Sequence, residues 1–262
     1  MILHNGHIVT IPDFSEKIFE KGLSLYEVIR IFNGKPIFLK DNLLRLQNSL
    51  NKSNIRIRVE NLNIPDKLNR FIQLNDMTAG NLKYVLYLGD TSAEEYIYQI
   101  PHAYPTAQDY KDGVATMTCT AVRENPGVKY INTDLRTRTN QLIQAHQVYE
   151  VLLVDHEEFI TEGSRSNVFF IKDRKLYTSP LAYVLPGTSR KRVFDICKEH
   201  HYPIEEKRIA VTELTSYQAA FLSGTSPLIL PINRIDEITF DPQLPFLQTL
   251  MKHYFALLTE NS

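Results

Sequence analysis

The chain reads as a mixed α/β (α+β) protein of two lobes, and three features of its sequence predict this. Short β-type runs and helical stretches follow one another without the regular alternation that a doubly wound sheet or a barrel of repeated βα units requires. The first ten residues hold an Asn-Gly pair between short apolar runs, the pattern of a tight hairpin. Between about residues 101 and 128 the composition turns polar, with proline and glycine clusters, and this places the junction between the lobes. The expected division is an N-terminal α+β lobe of residues 1–122 and a C-terminal lobe of residues 123–262.

The elements follow in order. Ile2 to His4 and His7 to Thr10 form the first hairpin about Asn5-Gly6. Leu23 to Ile31 and Pro36 to Leu39 form a second pair about Asn33-Gly34. Residues 40–51 place Leu43, Leu44, Leu46 and Leu50 at helical spacing, and residues 64–75 read as another helix. Leu82 to Leu88 and Tyr96 to Ile100 are strands, with a turn at Gly89-Asp90. Past the polar segment His102 to Gly113, Val114 to Val122 is a strand that stops at the turn cluster Glu124-Asn125-Pro126-Gly127. A helix over 134–147 leads to a buried strand at 149–154, then to strands Glu158 to Thr161 and Val168 to Ile171. Thr188 to His200 is a helix entered from Pro186-Gly187. Ala219 to Leu222 and Leu228 to Ile232 are strands on either side of Ser223-Gly224-Thr225-Ser226-Pro227, and the last helix covers about 243–258.

Charge and composition narrow the function. Lys and Arg number 29 against 30 Asp and Glu, a net charge of −1, so there is no electrostatic case for a nucleic-acid or anionic-membrane partner. Hydrophobic residues at 43% and charged residues at 23% are the proportions of a globular enzyme. Two distant cysteines, Cys119 and Cys197, make no disulfide framework, and no Cys/His spacing fits a structural zinc site; no metal is expected. The amino terminus lacks a basic region followed by an apolar core, and no run of 18 apolar residues occurs. A cytoplasmic protein in a reducing compartment is the expectation.

No P-loop, G-x-G-x-x-G, H-E-x-x-H or G-x-S-x-G motif is present. What remains is a lysine and several polar turns. Gly187-Thr188-Ser189-Arg190 opens a helix, where backbone amides and the dipole favour an anion; a plain helix cap is the competing reading. Ser223-Gly224-Thr225-Ser226 between two apolar strands reads either as a second anion nest or as an ordinary turn. Glu162 and Arg165 lie in a polar stretch between apolar strands. A carboxylate there needs a cation or a protonated ring nitrogen, and the simplest partner is Arg165. Lys129 stands beside Tyr130-Ile131. It reads either as a solvated strand end or as a desolvated nucleophilic amine.

Taken together, these pieces resemble the fold type IV pyridoxal-phosphate (PLP) enzymes: branched-chain aminotransferases, D-amino acid aminotransferases and aminodeoxychorismate lyases. The most specific part is Tyr149-Glu150-Val151-Leu152-Leu153-Val154-Asp155 leading into Thr161-Glu162-Gly163-Ser164-Arg165-Ser166-Asn167, followed in order by the Gly187 and Gly224 turns. The resemblance implies two α/β lobes with the cofactor between them. Lys129 lies 162 − 129 = 33 residues before Glu162, with no lysine in between, and matches the family's catalytic Schiff-base lysine. Glu162 matches the partner of the pyridine nitrogen. Arg45, Thr188, Ser189, Gly224 and Thr225 match the phosphate donors, although the family's histidine three residues before the arginine is Asn42 here. Tyr26, Lys83 and Ser226 fall on the substrate side. Gly89-Asp90 resembles the branched-chain group, whose carboxylate-binding arginine six residues earlier is Lys83 in this chain, a residue that keeps the charge and loses the fork.

The implied activity is a class IV aminotransferase of branched-chain or D-amino acid type, exchanging amino groups between a small amino acid and a 2-oxo acid with PLP. The implied assembly is a homodimer. Two alternatives use the same residues: an aminodeoxychorismate lyase that releases pyruvate, and a PLP-binding protein whose substrate site has degenerated.

Overall fold

A computed structural model of the chain describes residues 1–10, 14–89, 92–101 and 104–260. It contains two compact units. The first is Met1–Ala103 with Val128–Thr133 and Leu258–Ser262, and the second is Tyr104–Gly127 with Asp134–Leu257.

The first unit is built on a six-stranded antiparallel sheet. Its strands are β1 (Ile2–His4), β2 (His7–Val9), β3 (Leu23–Phe32), β4 (Lys35–Pro36), β5 (Gly80–Leu88) and β6 (Ala93–Ile100). Their order across the sheet is β2-β1-β6-β5-β3-β4. The Asn-Gly turns behave as expected: Asn5 and Gly6 sit at φ 47° and 80°, and Asn33 and Gly34 at 49° and 74°. Both central residues of a two-residue hairpin thus take the left-handed conformation whose twist matches the strands. Strand β4 is only two residues long, because the chain turns at Phe38 (φ 55°) into helix α1 (Leu39–Lys52) rather than continuing extended to Leu39. Helix α1 and α2 (Ile64–Leu74) cover one sheet face, burying Leu46, Leu50, Leu68 and Phe71 against Leu25, Ile29, Leu82 and Tyr84. The other face carries Phe19, Val85, Tyr96 and Tyr98. Gly89 donates to the carbonyl of Ser92 (3.1 Å), while Asp90 and His102 of the expected segments lie outside the described residues.

The second unit opens with α3 (Ala107–Asp112), β7 (Val114–Thr120) and α4 (Thr133–His146). Strands β8 (Glu150–Val154), β9 (Phe159–Gly163), β10 (Asn167–Lys172) and β11 (Lys175–Thr178) follow. Then come α5 (Thr188–Glu199), β12 (Ile204–Glu206), β13 (Ile209–Ala210), β14 (Ala219–Gly224), β15 (Leu228–Ile235), β16 (Ile238–Thr239) and α6 (Pro245–Glu260). The sheet runs β12-β11-β10-β14-β15-β7-β8-β9-β13, with β16 beside β15. Strand β8 is buried along its whole length, as its unbroken Val-Leu-Leu-Val run requires of a strand covered on both faces. No helix among the described residues is long and apolar enough to cross a membrane.

Two facts move the expected 122/123 boundary. Strand β7 pairs in parallel with both β8 and β15, so it belongs to the second sheet. Residues 129–131 instead pair with β3: Tyr26 donates to the Lys129 carbonyl (3.0 Å) and Ile131 to that of Ser24 (3.0 Å), about a Leu25–Tyr130 bridge. The short β4 leaves this half of the β3 edge unpaired, and the returning segment fills it.

Candidate active site

Lys129 therefore stands in the first unit, fixed by main-chain pairing to β3. Its own N–H donates to the Ser49 hydroxyl of α1 (3.3 Å). Its ammonium lies 4.6 Å from the centroid of the Tyr26 ring, and the buried Lys83 ammonium lies 4.8 Å from the same centroid. An ammonium over the face of an aromatic ring is attracted by the ring quadrupole, so the Tyr26 ring holds both amines on one face of the sheet. Register explains the arrangement: Tyr26 on β3 opposes Val85, and Val28 opposes Lys83, two residues away on the same face of β5.

Lys83 is not a bare cation. Its Nζ lies 2.6 Å from Glu16, whose other oxygen accepts from the Tyr98 hydroxyl at 2.8 Å. Burial first, then the Glu16 charge, push the Tyr98 hydroxyl well above the usual phenol range. Arg45 on α1 is buried and grips Glu27 with two N–H groups, Nε at 2.8 Å and one Nη on the second oxygen. Burial alone would lower its pKa, but the Glu27 charge and hydrogen bonds outweigh that and raise it. Asn42 donates to the same carboxylate at 2.8 Å, so the asparagine in the expected histidine position is part of the Arg45 support.

In the second unit Glu162, next to the last residue of β9, has 2% side-chain exposure, and its cation is Arg123. Arg123 Nε lies 2.5 Å from Oε1, and one Nη donates to the Ser164 carbonyl at 3.2 Å. The second oxygen accepts from the Leu185 N–H (3.1 Å) and, more weakly, from Asn167 Nδ2 (3.4 Å). Arg165 does not pair with Glu162: its guanidinium goes to Asn140 of α4 and its N–H to Glu150 at 3.1 Å. Strand β8 lies between β7 and β9, so the chain leaving β7 passes close enough for Arg123 to reach the end of β9.

The helix-cap reading of the 187–190 turn does not hold. Gly187 is the N-cap of α5, with no side-chain cap, and Thr188 and Ser189 are the first two helical residues. Their amides have no intrahelical acceptor, and both side chains are buried. A Cβ on Gly187 would collide with Asn167 Oδ1, so glycine is what lets the helix start approach β10. Arg190 turns away, to the Ser179 carbonyl (3.0 Å) and Glu206 (2.6 Å). Asn167 opposes Ser223 in the β10–β14 ladder. The Ser223 hydroxyl, 1% exposed, has no hydrogen-bond partner among the described residues, and it leads into Gly224, Thr225 and Ser226. A buried hydroxyl without a partner is costly unless a ligand supplies one. The second unit thus brings together an anchored carboxylate, an uncapped helix start and an unsatisfied hydroxyl. This fits a group with a protonated ring nitrogen at one end and a phosphate at the other.

Sequence reasoning missed Arg123, Glu16 and Glu150. Glu150, also 2% exposed, holds the turn after Glu162 by accepting from the hydroxyls of Ser164 (2.6 Å) and Ser166 (3.1 Å). Its only sequence signal is an acid at the head of an apolar strand.

Comparisons with known proteins agree with this layout. The D-alanine aminotransferase of Bacillus licheniformis is 25% identical over 260 residues, covering 93% of this chain and 91% of the relative. The branched-chain amino acid aminotransferase of Escherichia coli superposes with a TM-score of 0.82 at 21% identity, over 98% of this chain and 93% of that one. A hypothetical aminotransferase from Mycobacterium tuberculosis, in its PLP-bound form, gives 0.82 at 16% identity over 100% of both chains. The model of the amino-transferase class IV family matches residues 24–235, a stretch holding every residue from Tyr26 to Ser226 discussed above. The chain belongs to the class IV aminotransferase family.

Proposed function

We propose that the chain is a PLP-dependent aminotransferase that exchanges amino groups between a small amino acid and a 2-oxo acid. The observation that carries this reading is the Glu162 carboxylate, buried and paired with Arg123 beside the uncapped start of α5. Bound PLP would supply an electron sink for a carbanion at the substrate Cα. Lys129 is the residue that would attach it and move the Cα proton on its Nζ. Glu162 would hold a proton on the ring nitrogen through an anionic oxygen. The phosphate would be taken by the amides and hydroxyls of Thr188 and Ser189, the Gly224-Thr225 turn and the Arg45 guanidinium. Tyr26, Lys83 and Ser226 would face the substrate. A homodimer in the cytoplasm completes the reading, on the family resemblance and two free cysteines.

The test is reconstitution with PLP, borohydride fixation and peptide mapping, together with a panel of L- and D-amino acids offered pyruvate or 2-oxoglutarate. The label belongs on Lys129, and Lys129→Ala abolishes both label and exchange. A label on another lysine refutes the assignment. Pyruvate release from aminodeoxychorismate without amino exchange makes the protein a lyase, and labelling with neither activity makes it a cofactor-binding protein.

A further inference from the structure

Every amino acid and 2-oxo acid carries a carboxylate, and Lys83, the cation expected to face it, is already paired with Glu16 at 2.6 Å. The second unit holds a guanidinium without such a counter-ion. Arg165 lies in the turn between β9 and β10, three residues after Glu162. The antiparallel pairing of Asn167 with Ser223 runs on toward this turn and brings Arg165 beside Gly224-Thr225. A Cβ on Gly224 would lie 3.6 Å from the Arg165 carbonyl oxygen.

Glu150 fixes the main chain here without engaging the guanidinium. Its Oε1 accepts from the Ser164 hydroxyl (2.6 Å) and the Val151 N–H (3.0 Å). Its Oε2 accepts from the Ser166 hydroxyl (3.1 Å) and the Arg165 N–H (3.1 Å). The Arg165 guanidinium donates instead to the side-chain oxygen of Asn140, a neutral acceptor. Asn140 lies one turn after Arg136 on α4, the i, i+4 spacing that puts two side chains on one helix face. Partial burial first, then the Arg136 charge, hold the Arg165 pKa below the ordinary arginine value, against the opposing pull of Glu150 and Tyr149. Among the described residues no acid forms an ion pair with Arg136 or with the Arg165 guanidinium. Both arginines are exposed, so each can meet a ligand from solution. An anion between them would relieve the repulsion, and a guanidinium fork matches a carboxylate in shape as well as in charge.

We propose that Arg165, supported by Arg136, is the substrate-binding residue that takes the carboxylate common to amino acids and 2-oxo acids. The proposal rests on the aminotransferase reading and names the cation of its carboxylate subsite. Its test reads binding rather than turnover. The PLP-reconstituted protein and its Arg165→Met, Arg165→Lys and Arg136→Met variants are titrated calorimetrically with 4-methylpentanoate, with glutarate and with the uncharged 4-methylpentanamide. Methionine keeps the main-chain bond to Glu150, so the turn stays in place. Arg165 is exposed and screened by solvent, so Arg165→Met should weaken 4-methylpentanoate by about tenfold, or about 1.4 kcal/mol. Arg165→Lys and Arg136→Met should weaken it by less, and the gap between wild type and Arg165→Met should narrow as salt is raised. Amide binding should be the same in all four proteins. Binding of 4-methylpentanoate that is equal in wild type and Arg165→Met, or undetectable in wild type, overturns the proposal, as does an equal loss for the amide. A loss confined to glutarate overturns it too, because Arg165 would then serve a second carboxylate. Arg165 dependence in a protein that does not label at Lys129 means that the enzymatic reading fails while the carboxylate subsite stands. Labelling at Lys129 without Arg165 dependence means that this proposal alone fails.

Discussion

Replacing Arg123 by methionine leaves the Glu162 carboxylate buried without its cation. Arg123 is 15% exposed in its side chain and Glu162 2%, so water cannot easily take over the role. Removing one partner of a buried pair costs about 3–5 kcal/mol. The Leu185 amide and the long contact from Asn167 remain, which puts this case at the lower end, about 3 kcal/mol. For a unit of this size each kcal/mol moves the melting temperature by about 2–4 °C, so thermal unfolding followed by circular dichroism should show a drop of roughly 6–12 °C. The double variant Arg123→Met with Glu162→Gln carries no stranded charge and should recover at least half of that loss. A single variant melting within about 2 °C of wild type, or a double variant no better than the single one, would refute the idea that Arg123 is the cation that balances the buried Glu162 carboxylate.

Arg45→Ala should weaken PLP affinity by roughly 10- to 150-fold, the cost of about 1.5–3 kcal/mol for one charged hydrogen bond to a phosphate; fluorescence titration checks it, and unchanged affinity removes Arg45 from the phosphate set. His253 on α6 lies against His200, tilted, at 3.7 Å between ring centroids and meets the Tyr202 hydroxyl at 3.3 Å. Burial first, then the His200 charge, lower its folded pKa, while Glu199 opposes them. A base whose pKa falls on folding contributes stability that is full above its unfolded value near 6.5 and is lost as pH falls through the folded value. The melting temperature should therefore decline below about pH 6.5, and His253→Phe should flatten that decline; an identical pH profile in the variant would show that the pair is not responsible.

Most elements were legible because their signals are local. Asn-Gly turns demand two left-handed residues, and α1, α2, α4 and α5 were found from spacing and bounding turns with end errors of one or two residues. Strand β11 was not found, because its turn is Asp173-Arg174, at φ 52° and 60°, a hairpin turn written without glycine. Strands β12 and β13 are three and two residues long and owe their existence to distant partners, β11 and β9. The site divides in the same way. Glu162 and the two glycine turns stand in one readable order, and the need of a buried carboxylate for a cation was also evident. Which arginine supplied it was not. Arg165 is near in sequence, whereas Arg123 is near only because β7 and β9 flank β8. Glu16 was invisible for a related reason: its partner Lys83 is 67 residues away.

The pairing of residues 129–131 with β3 also bears on how the protein is made. As the chain emerges during synthesis, β3 and β5 can pair long before residue 128 is added, and the two-residue β4 protects only the far end of β3. A nascent or truncated product ending short of Val128 presents Ser24 to Tyr26 as an open template for another strand, the situation that leads to intermolecular pairing. The stretch that brings in Lys129 is thus also the one that ends this exposure. Mutations that slow synthesis or loosen the 124–127 turn should appear as aggregation of partial chains before they appear as lost chemistry.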